Sequence, residues 1–390
     1  MTVPSPDAPA LVRDAGDPAD EDAALHAGAL LVDHSARARW VFRGAGARAT
    51  LNGLVTNDVA ALAPGHGCYA AALTAKGRIV ADVRIFALDH PAGDIPAAGA
   101  GAAPGWLDGA ALVVDVPARA AEGWEALVRK YVNPRVARYQ RVDPAVRAFG
   151  VYGPRAREAL AGAFGAAPSA LAALPPYAHA TVALAVGETL LVARVPDAGT
   201  PARGLDGFVV LVPGGAYDAA WARVCAGAPG VVAGGEAAYT VARVEAGYPE
   251  WGLDIDEGTL APEAALDALG AVSYTKGCYT GQEVVARVHS RGHVNRQLRG
   301  LVFADGSGDG AAAALPPHGA ALHDAAGAPV GDVRTAVHSP RLGDVALAMV
   351  RREASPGAAV EARWTDGAGG EVRRAAVVAE LPFASGWPAA

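Results

Sequence analysis

Over residues 79–86 apolar and polar positions fall on opposite sides of a two-residue repeat. Ile79, Ala81, Val83 and Ile85 oppose Val80, Asp82, Arg84 and Phe86, which predicts a strand with a partly polar face. Trp40-Val41-Phe42-Arg43 reads as another strand, and residues 47–55 as a helix with Leu51, Leu54 and Val55 on one side. The Gly-, Pro- and Ala-rich stretch 89–104 predicts a loop. Residues 118–132 predict a helix whose apolar side carries Ala121, Trp124, Leu127, Val128 and Tyr131. Strands are expected at 180–185, 189–195 and 207–212, with a helix near 216–225. From Leu298 onward helical periodicity disappears. Strand-like pieces near 300–303, 345–350, 360–364 and 372–378, separated by Gly, Pro and Asp turns, predict a small antiparallel barrel. The pattern is mixed α and β followed by all β.

One segment concentrates chemistry: Lys276-Gly277-Cys278-Tyr279-Thr280-Gly281-Gln282-Glu283. The chain holds only three lysines and three cysteines, and two of these six residues lie here. Thr280 followed three positions later by Glu283 is a capping-box pattern, which predicts a helix starting at Gly281. Tyr279 and Val284 form a staple candidate, and Val284, Val285 and Val288 give the helix an apolar side. Cys278 then sits near the positive end of the helix dipole and two residues from an ammonium group, both of which favour a thiolate. The alternative reading makes Cys278 a small buried hydrophobe and Glu283 only a cap.

This segment, continued by Val284-Val285-Ala286-Arg287, resembles the signature of the YgfZ proteins, folate-binding relatives of the glycine-cleavage T-protein (aminomethyltransferase). Other stretches agree with it in order: Leu31 to Ser35, Gly53 to Val59, Tyr69 with Lys76-Gly77-Arg78, Arg243 to Pro249 with Gly252 and Asp254, and Gly331 to Pro340. The resemblance covers roughly residues 24–384. It implies an α+β, T-protein/YgfZ-like three-domain ring with a C-terminal antiparallel β-barrel. The implied division has two interleaved α+β folate-binding domains over 23–270, after an acidic, Pro- and Ala-rich stretch over 1–22 whose composition predicts a disordered tail. The signature motif and connecting helix follow over 271–297, and the barrel over 298–386.

Composition fits that division. At 390 residues the chain exceeds one ordinary core. Its longest uncharged run, 159–187, contains Pro168, Pro175 and Pro176, which argues against a membrane span. The N-terminus is acidic and rich in Pro and Ala, unlike a signal peptide. Cys68, Cys225 and Cys278 are too few and too scattered for a disulfide framework, which suits a reducing cytoplasm. No cysteine or histidine spacing marks a permanent metal site. Net charge is −7, yet Arg129, Lys130, Arg135, Arg138, Arg141 and Arg147 cluster, as do Lys276, Arg287, Arg291, Arg296 and Arg299 beside His289 and His293. Such groups suit a folate glutamate tail, a phosphate or an acidic partner, or are solvated surface. No nucleic-acid-binding pattern accompanies them.

Carried residue by residue, the resemblance makes Cys278, Lys276 and Asp82 the catalytic candidates. Tyr69, Asp82, Arg243, Glu245, Tyr279, Gln282 and Arg287 become the candidates for binding tetrahydrofolate or a one-carbon derivative. Arg243 and Glu245 would share a face if that segment were extended. Two departures stand out. The T-protein's paired aspartates are reduced to Asp82 alone in Gly77-Arg78-Ile79-Val80-Ala81-Asp82, and its Tyr-Thr-Gly-Glu segment is replaced in the stretch 202–208. The reading is therefore a cytoplasmic tetrahydrofolate-binding protein that supports iron–sulfur cluster assembly or repair through a reactive cysteine. Its partners would be client enzymes or assembly factors. Two alternatives are a folate-dependent aminomethyl or one-carbon transferase and a non-catalytic scaffold for client proteins.

Overall fold

A computed structural model of the chain describes residues 17–88, 106–165, 168–185, 188–198, 205–304 and 314–383. Helix α1 (Pro18–Ala27) is capped by Asp17, whose carboxylate accepts from the Ala19 amide at 2.8 Å. Of the stretch 1–22 expected to be a tail, residues 18–22 are helical and Glu21 is buried, while 1–16 lie outside the described residues. Strand β1 (Ala29–Asp33) belongs to one sheet, and the chain then builds another. That second sheet contains β2 (Ala38–Arg43), β3 (Gly67–Leu73), β4 (Ile79–Ala87), β5 (Ala110–Val116) and β6 (Arg138–Arg141). Helices α2 (Ala47–Asn52) and α3 (Ala121–Tyr131) lie between its strands in sequence. Its strand order is β3-β4-β5-β2-β6, antiparallel throughout. The loop expected at 89–104 falls outside the described residues.

The chain returns to the first sheet with β7 (Val146–Tyr152), followed by α4 (Ala156–Phe164) and α5 (Pro168–Ala172). Strands β8 (His179–Ala185), β9 (Glu188–Arg194) and β10 (Gly207–Pro213), helix α6 (Tyr217–Cys225) and β11 (Val231–Gly234) complete it, in the order β11-β1-β7-β10-β9-β8. Helix α7 (Glu236–Glu245) and a long irregular stretch lead to α8 (Gln282–Arg291). Beyond it, β12 (Arg296–Phe303), β13 (Ala321–Asp324), β14 (Pro329–Ser339), β15 (Gly343–Arg351), β16 (Ala359–Thr365) and β17 (Glu371–Ala379) close a barrel. The architecture is α+β with a C-terminal antiparallel barrel, as the sequence predicts.

The two sheets face one another. Val41, Phe86 and Val113 from one meet Leu30, Tyr152, Leu191 and Val209 from the other in a shared core. Helices cover the outer faces: Leu51, Trp124 and Val128 pack on Trp40, Phe42 and Ile85, and Leu160, Trp221 and Val224 on Phe149 and Phe208. Trp124 is fully buried, so truncating it to alanine would cost about 3–5 kcal/mol. Strand β4 is buried on both faces. Ala81, Val83 and Ile85 point to the helices, while Asp82, Arg84 and Phe86 point between the sheets. Its polar positions are therefore interior.

The capping box at α8 does not form. Gly281 precedes the helix at φ 85°, and no side chain caps it. Thr280 donates its backbone N–H to the Gly53 carbonyl at 3.1 Å, and Glu283 is exposed. The Gln282 side chain instead accepts from the Tyr279 amide at 3.0 Å. The cause is local: Gly281 turns left-handed where its backbone lies against Leu73, Thr74 and Gly77, a space that admits no Cβ. Thr280 is thereby tied to the neighbouring loop and not to its own helix. Of the predicted apolar side, Val285 is fully buried, and Val284 and Val288 are half-buried.

Candidate functional site

Buried charges gather where the strands of the two sheets converge. Arg37 donates its Nε to Asp115 Oδ2 at 2.7 Å, Arg84 donates Nη1 to the same oxygen at 3.2 Å, and Arg39 Nε lies 3.4 Å from Oδ1. Burial opposes ionisation of Asp115, but Arg37, Arg39 and Arg84 together hold its pKa below the ordinary value. Arg84 also donates Nη2 to Asp197, which accepts the Tyr239 hydroxyl at 2.8 Å. His34, buried beside Arg84, has its pKa driven down to about 3, first by desolvation and then by that arginine. It is thus a neutral imidazole at 2.8 Å from the Tyr152 hydroxyl. Breaking one charge out of such a network leaves another buried and unpaired, at a cost of about 3–5 kcal/mol. The network fixes side chains from both sheets and α7 relative to one another.

Beside it lies a narrow cleft lined by Tyr69, Asp82, Arg84, Arg243 and Tyr248. Tyr69 donates its hydroxyl to Asp82 Oδ2 at 2.9 Å. Asp82 Oδ1 has no hydrogen-bond partner among the described residues. Burial raises the Asp82 pKa, against the opposing pull of Arg37 and the Tyr69 hydroxyl. The rings of Tyr69 and Tyr177 stack at 6.0 Å, and Tyr248 sits 5.7 Å from Tyr69. Arg243 donates to Asp254 and to the Tyr248 carbonyl, while its Nη2 is buried without a hydrogen-bond partner among the described residues. The cleft adjoins a chamber of about 480 Å³ across Arg37, Tyr239 and Glu250. Glu236 lines that chamber. Its side chain is exposed there, and its pKa rises to about 7, first through desolvation and then through Glu250.

Of the sequence candidates, the structure brings Tyr69, Asp82 and Arg243 together. Glu245 departs from expectation. Its segment is helical, not extended, so residues two apart diverge by roughly half a turn. Glu245 instead accepts from Ser339 Oγ at 2.5 Å and Arg341 Nη2 at 2.8 Å, tying α7 to the barrel. The sequence reading missed Arg37, His34, Asp115, Asp197, Tyr239 and Glu236. The one signal was Arg84, two residues from Asp82 on the same strand face.

The signature segment lies elsewhere, against the 53–57 loop and the β3–β4 turn, and lines neither the cleft nor the chamber. Cys278 is exposed. The Lys276 ammonium faces backbone carbonyls of the neighbouring loop. Its Nζ donates to the carbonyls of Asn52 at 2.5 Å, Val55 at 2.7 Å and Asn57 at 2.7 Å, which uses all its protons. Desolvation lowers its pKa to about 8, against smaller opposing effects of Asp58 and Cys68. Cys68 is buried, and burial pushes its thiol up to about 12. Tyr279 packs on the shared core with the Lys276 ammonium 5.0 Å from its ring centre, and Arg287 is exposed on α8. No group of acidic, histidine or cysteine side chains able to hold a metal occurs among the described residues. No helix among them is long and apolar enough to cross a membrane.

Comparison with known proteins places this geometry. Residues 107–274 match the GCVT N-terminal domain and 296–384 the glycine cleavage T-protein C-terminal barrel domain. An aminomethyltransferase of Bordetella petrii is 31% identical over 349 residues, covering 87% of this chain and 81% of that protein. Two shorter similarities are local. A tRNA-modifying protein YgfZ of Hamiltonella defensa is 54% identical over 56 residues, 14% of this chain and 16% of that protein. A mitochondrial iron-sulfur cluster assembly factor IBA57 homolog of Chaetomium globosum is 37% identical over 84 residues, 21% and 19%. The crystal structure of aminomethyltransferase T from Bartonella henselae superposes with a TM-score of 0.75 at 22% identity, covering 94% of this chain and 90% of that one, and so shares the fold. With both domain matches in order and a 31%-identical relative matched over most of its length, the chain belongs to the glycine cleavage T-protein family.

Proposed function

We propose that this family member binds tetrahydrofolate between its two sheets and supports iron–sulfur cluster assembly or repair in client enzymes, with Cys278 as its reactive group. The observation that carries the folate reading is Asp82. It is buried and held on one oxygen by Tyr69, and its other oxygen is unpartnered at the edge of a cleft lined by tyrosines. A flat heterocycle with edge N–H groups answers both features, the ring edge meeting Asp82 and the bulk of the ligand occupying the adjoining chamber. Tyr69, Asp82, Tyr248 and Arg243 would hold it, and when bound it would supply a one-carbon carrier. Burial raises the Asp82 pKa, which favours proton exchange between that carboxyl and a ligand nitrogen. An exposed thiol and the local similarities to YgfZ and IBA57 support the iron–sulfur part of the reading.

A second reading, aminomethyl transfer to folate, is favoured by the similarity to an aminomethyltransferase along 87% of the chain. The two separate in one experiment. In cells lacking the protein, activities of iron–sulfur enzymes should fall and return with wild type but not with Cys278→Ala. Full rescue by Cys278→Ala would overturn the reactive-thiol reading. Formation of methylene-tetrahydrofolate by purified protein from an aminomethylated lipoyl carrier would instead establish the transferase.

A further inference from the structure

The turn joining α3 to β6 presents an apolar centre inside a basic rim. Tyr131 is 47% and Val136 49% exposed, two of the three large hydrophobic side chains that stand out from the described surface. Around them Lys130, Arg135 and Arg138 are exposed, and no acidic residue occurs between 126 and 142. Arg129 and Arg141 are already engaged, with Glu125 and Asp143. No ion pair is formed by Lys130, Arg135 or Arg138 among the described residues, although the chain as a whole carries net charge −7. Lys130 lies 5.0 Å from the Tyr131 ring centre, so the ring and the charge are presented together.

The turn is also held in place. Asn133 Oδ1 accepts from the Arg135 amide at 3.0 Å, and the Asn133 carbonyl accepts from Val136 at 3.0 Å and Ala137 at 3.1 Å. The Val136 carbonyl accepts from Gly46 at 2.9 Å, which fastens the turn to the start of α2. A surface fixed before binding loses little entropy on docking. Strand β6, which follows it, is an edge strand of its sheet. Charged side chains such as Arg138 and Arg141 guard that edge against pairing with other chains, which accounts for their presence on β6 but not for Tyr131 and Val136.

We propose that the α3–β6 turn is a docking surface for a partner protein that presents an acidic patch around an apolar side chain. An apolar centre with a charged rim is the anatomy of a protein interface, and tyrosine with arginine is its enriched pair. Val136 decides against single-stranded nucleic acid, whose bases stack on aromatic rings and gain little from an exposed aliphatic branch. The inference is independent of the folate site, none of whose residues lie here.

Fluorescence anisotropy tests it on the full chain, with a labelled peptide of glutamates around a central leucine and an oligouridylate of equal length as probes. The peptide should bind with an affinity that falls as salt rises. Lys130→Glu/Arg135→Glu/Arg138→Glu should weaken it on the order of tenfold or more at low salt. Tyr131→Ser/Val136→Ser, which alters only exposed side chains, should weaken it while leaving the salt dependence unchanged. Peptide binding that is absent, or equal in wild type and both variants, would overturn the proposal. Tighter binding of the oligouridylate would assign the surface to nucleic acid, and self-association lost in the variants would assign it to a second copy of this chain. Either result overturns it too.

Discussion

Replacing Lys276 with methionine keeps the length of the side chain and removes its ammonium. In the native protein that ammonium bridges three carbonyls, those of Asn52, Val55 and Asn57, and so closes the end of α2 onto the loop behind it. A hydrogen bond from a charged donor contributes about 1.5–3 kcal/mol. The full sum is not expected. The site is half-buried, so water takes up part of the vacated carbonyls, and the desolvation that lowers the Lys276 pKa to about 8 already offsets part of the gain. We expect a net loss of about 2–4 kcal/mol. Urea unfolding of Lys276→Met should show a lower midpoint with an unchanged slope. An unchanged urea midpoint would refute the brace.

Three further outcomes follow from the geometry. The Glu236 pKa lies near 7 in the folded protein against an ordinary 4.5, so the native state holds an extra proton between those values. Stability should therefore fall as pH rises through that window. In Glu236→Gln that component should vanish from the pH dependence of the urea midpoint. Asp254 accepts from Arg243, from the Glu250 amide at 2.9 Å and from Thr335 Oγ1 at 2.6 Å, so Asp254→Ala leaves a buried guanidinium with the Glu250 carboxylate at 3.7 Å as its only ion-pair partner among the described residues. It should cost about 3–5 kcal/mol in equilibrium unfolding. Gly281→Ala places a Cβ against the Thr74 carbonyl at a left-handed φ of 85° and should destabilise by more than about 1 kcal/mol, whereas Gly277→Ala meets nothing and should not.

Much of the fold is legible in the chain because burial follows period. Strand β4, helix α3 and the strands at 207–213 and 343–351 are found where alternation or helical spacing predicts them. Strand β14 escapes notice because a bulge between Val333 and Thr335 breaks its alternation. At the site, Asp82 and Tyr69 are readable on neighbouring strands, but the network behind them is not. Arg84 meets Asp197 across 113 positions, and no local pattern marks such a pair. The signature segment misleads in a similar way. Thr280 and Glu283 have the spacing of a capping box, yet a contact from Thr280 to Gly53 takes precedence. Lys276 looks like a partner for the thiol two residues away, but its acceptors are backbone carbonyls, which carry no residue-type signal.

Calorimetric titration of tetrahydrofolate into wild type, Asp82→Asn and Cys278→Ala tests the proposed site most directly. Binding should be present in wild type, retained in Cys278→Ala, whose thiol lies outside the cleft, and weakened on the order of tenfold or more in Asp82→Asn, where a buried acceptor is changed. No heat of binding in the wild type, or equal affinity in wild type and Asp82→Asn, would contradict the assignment of the cleft to folate.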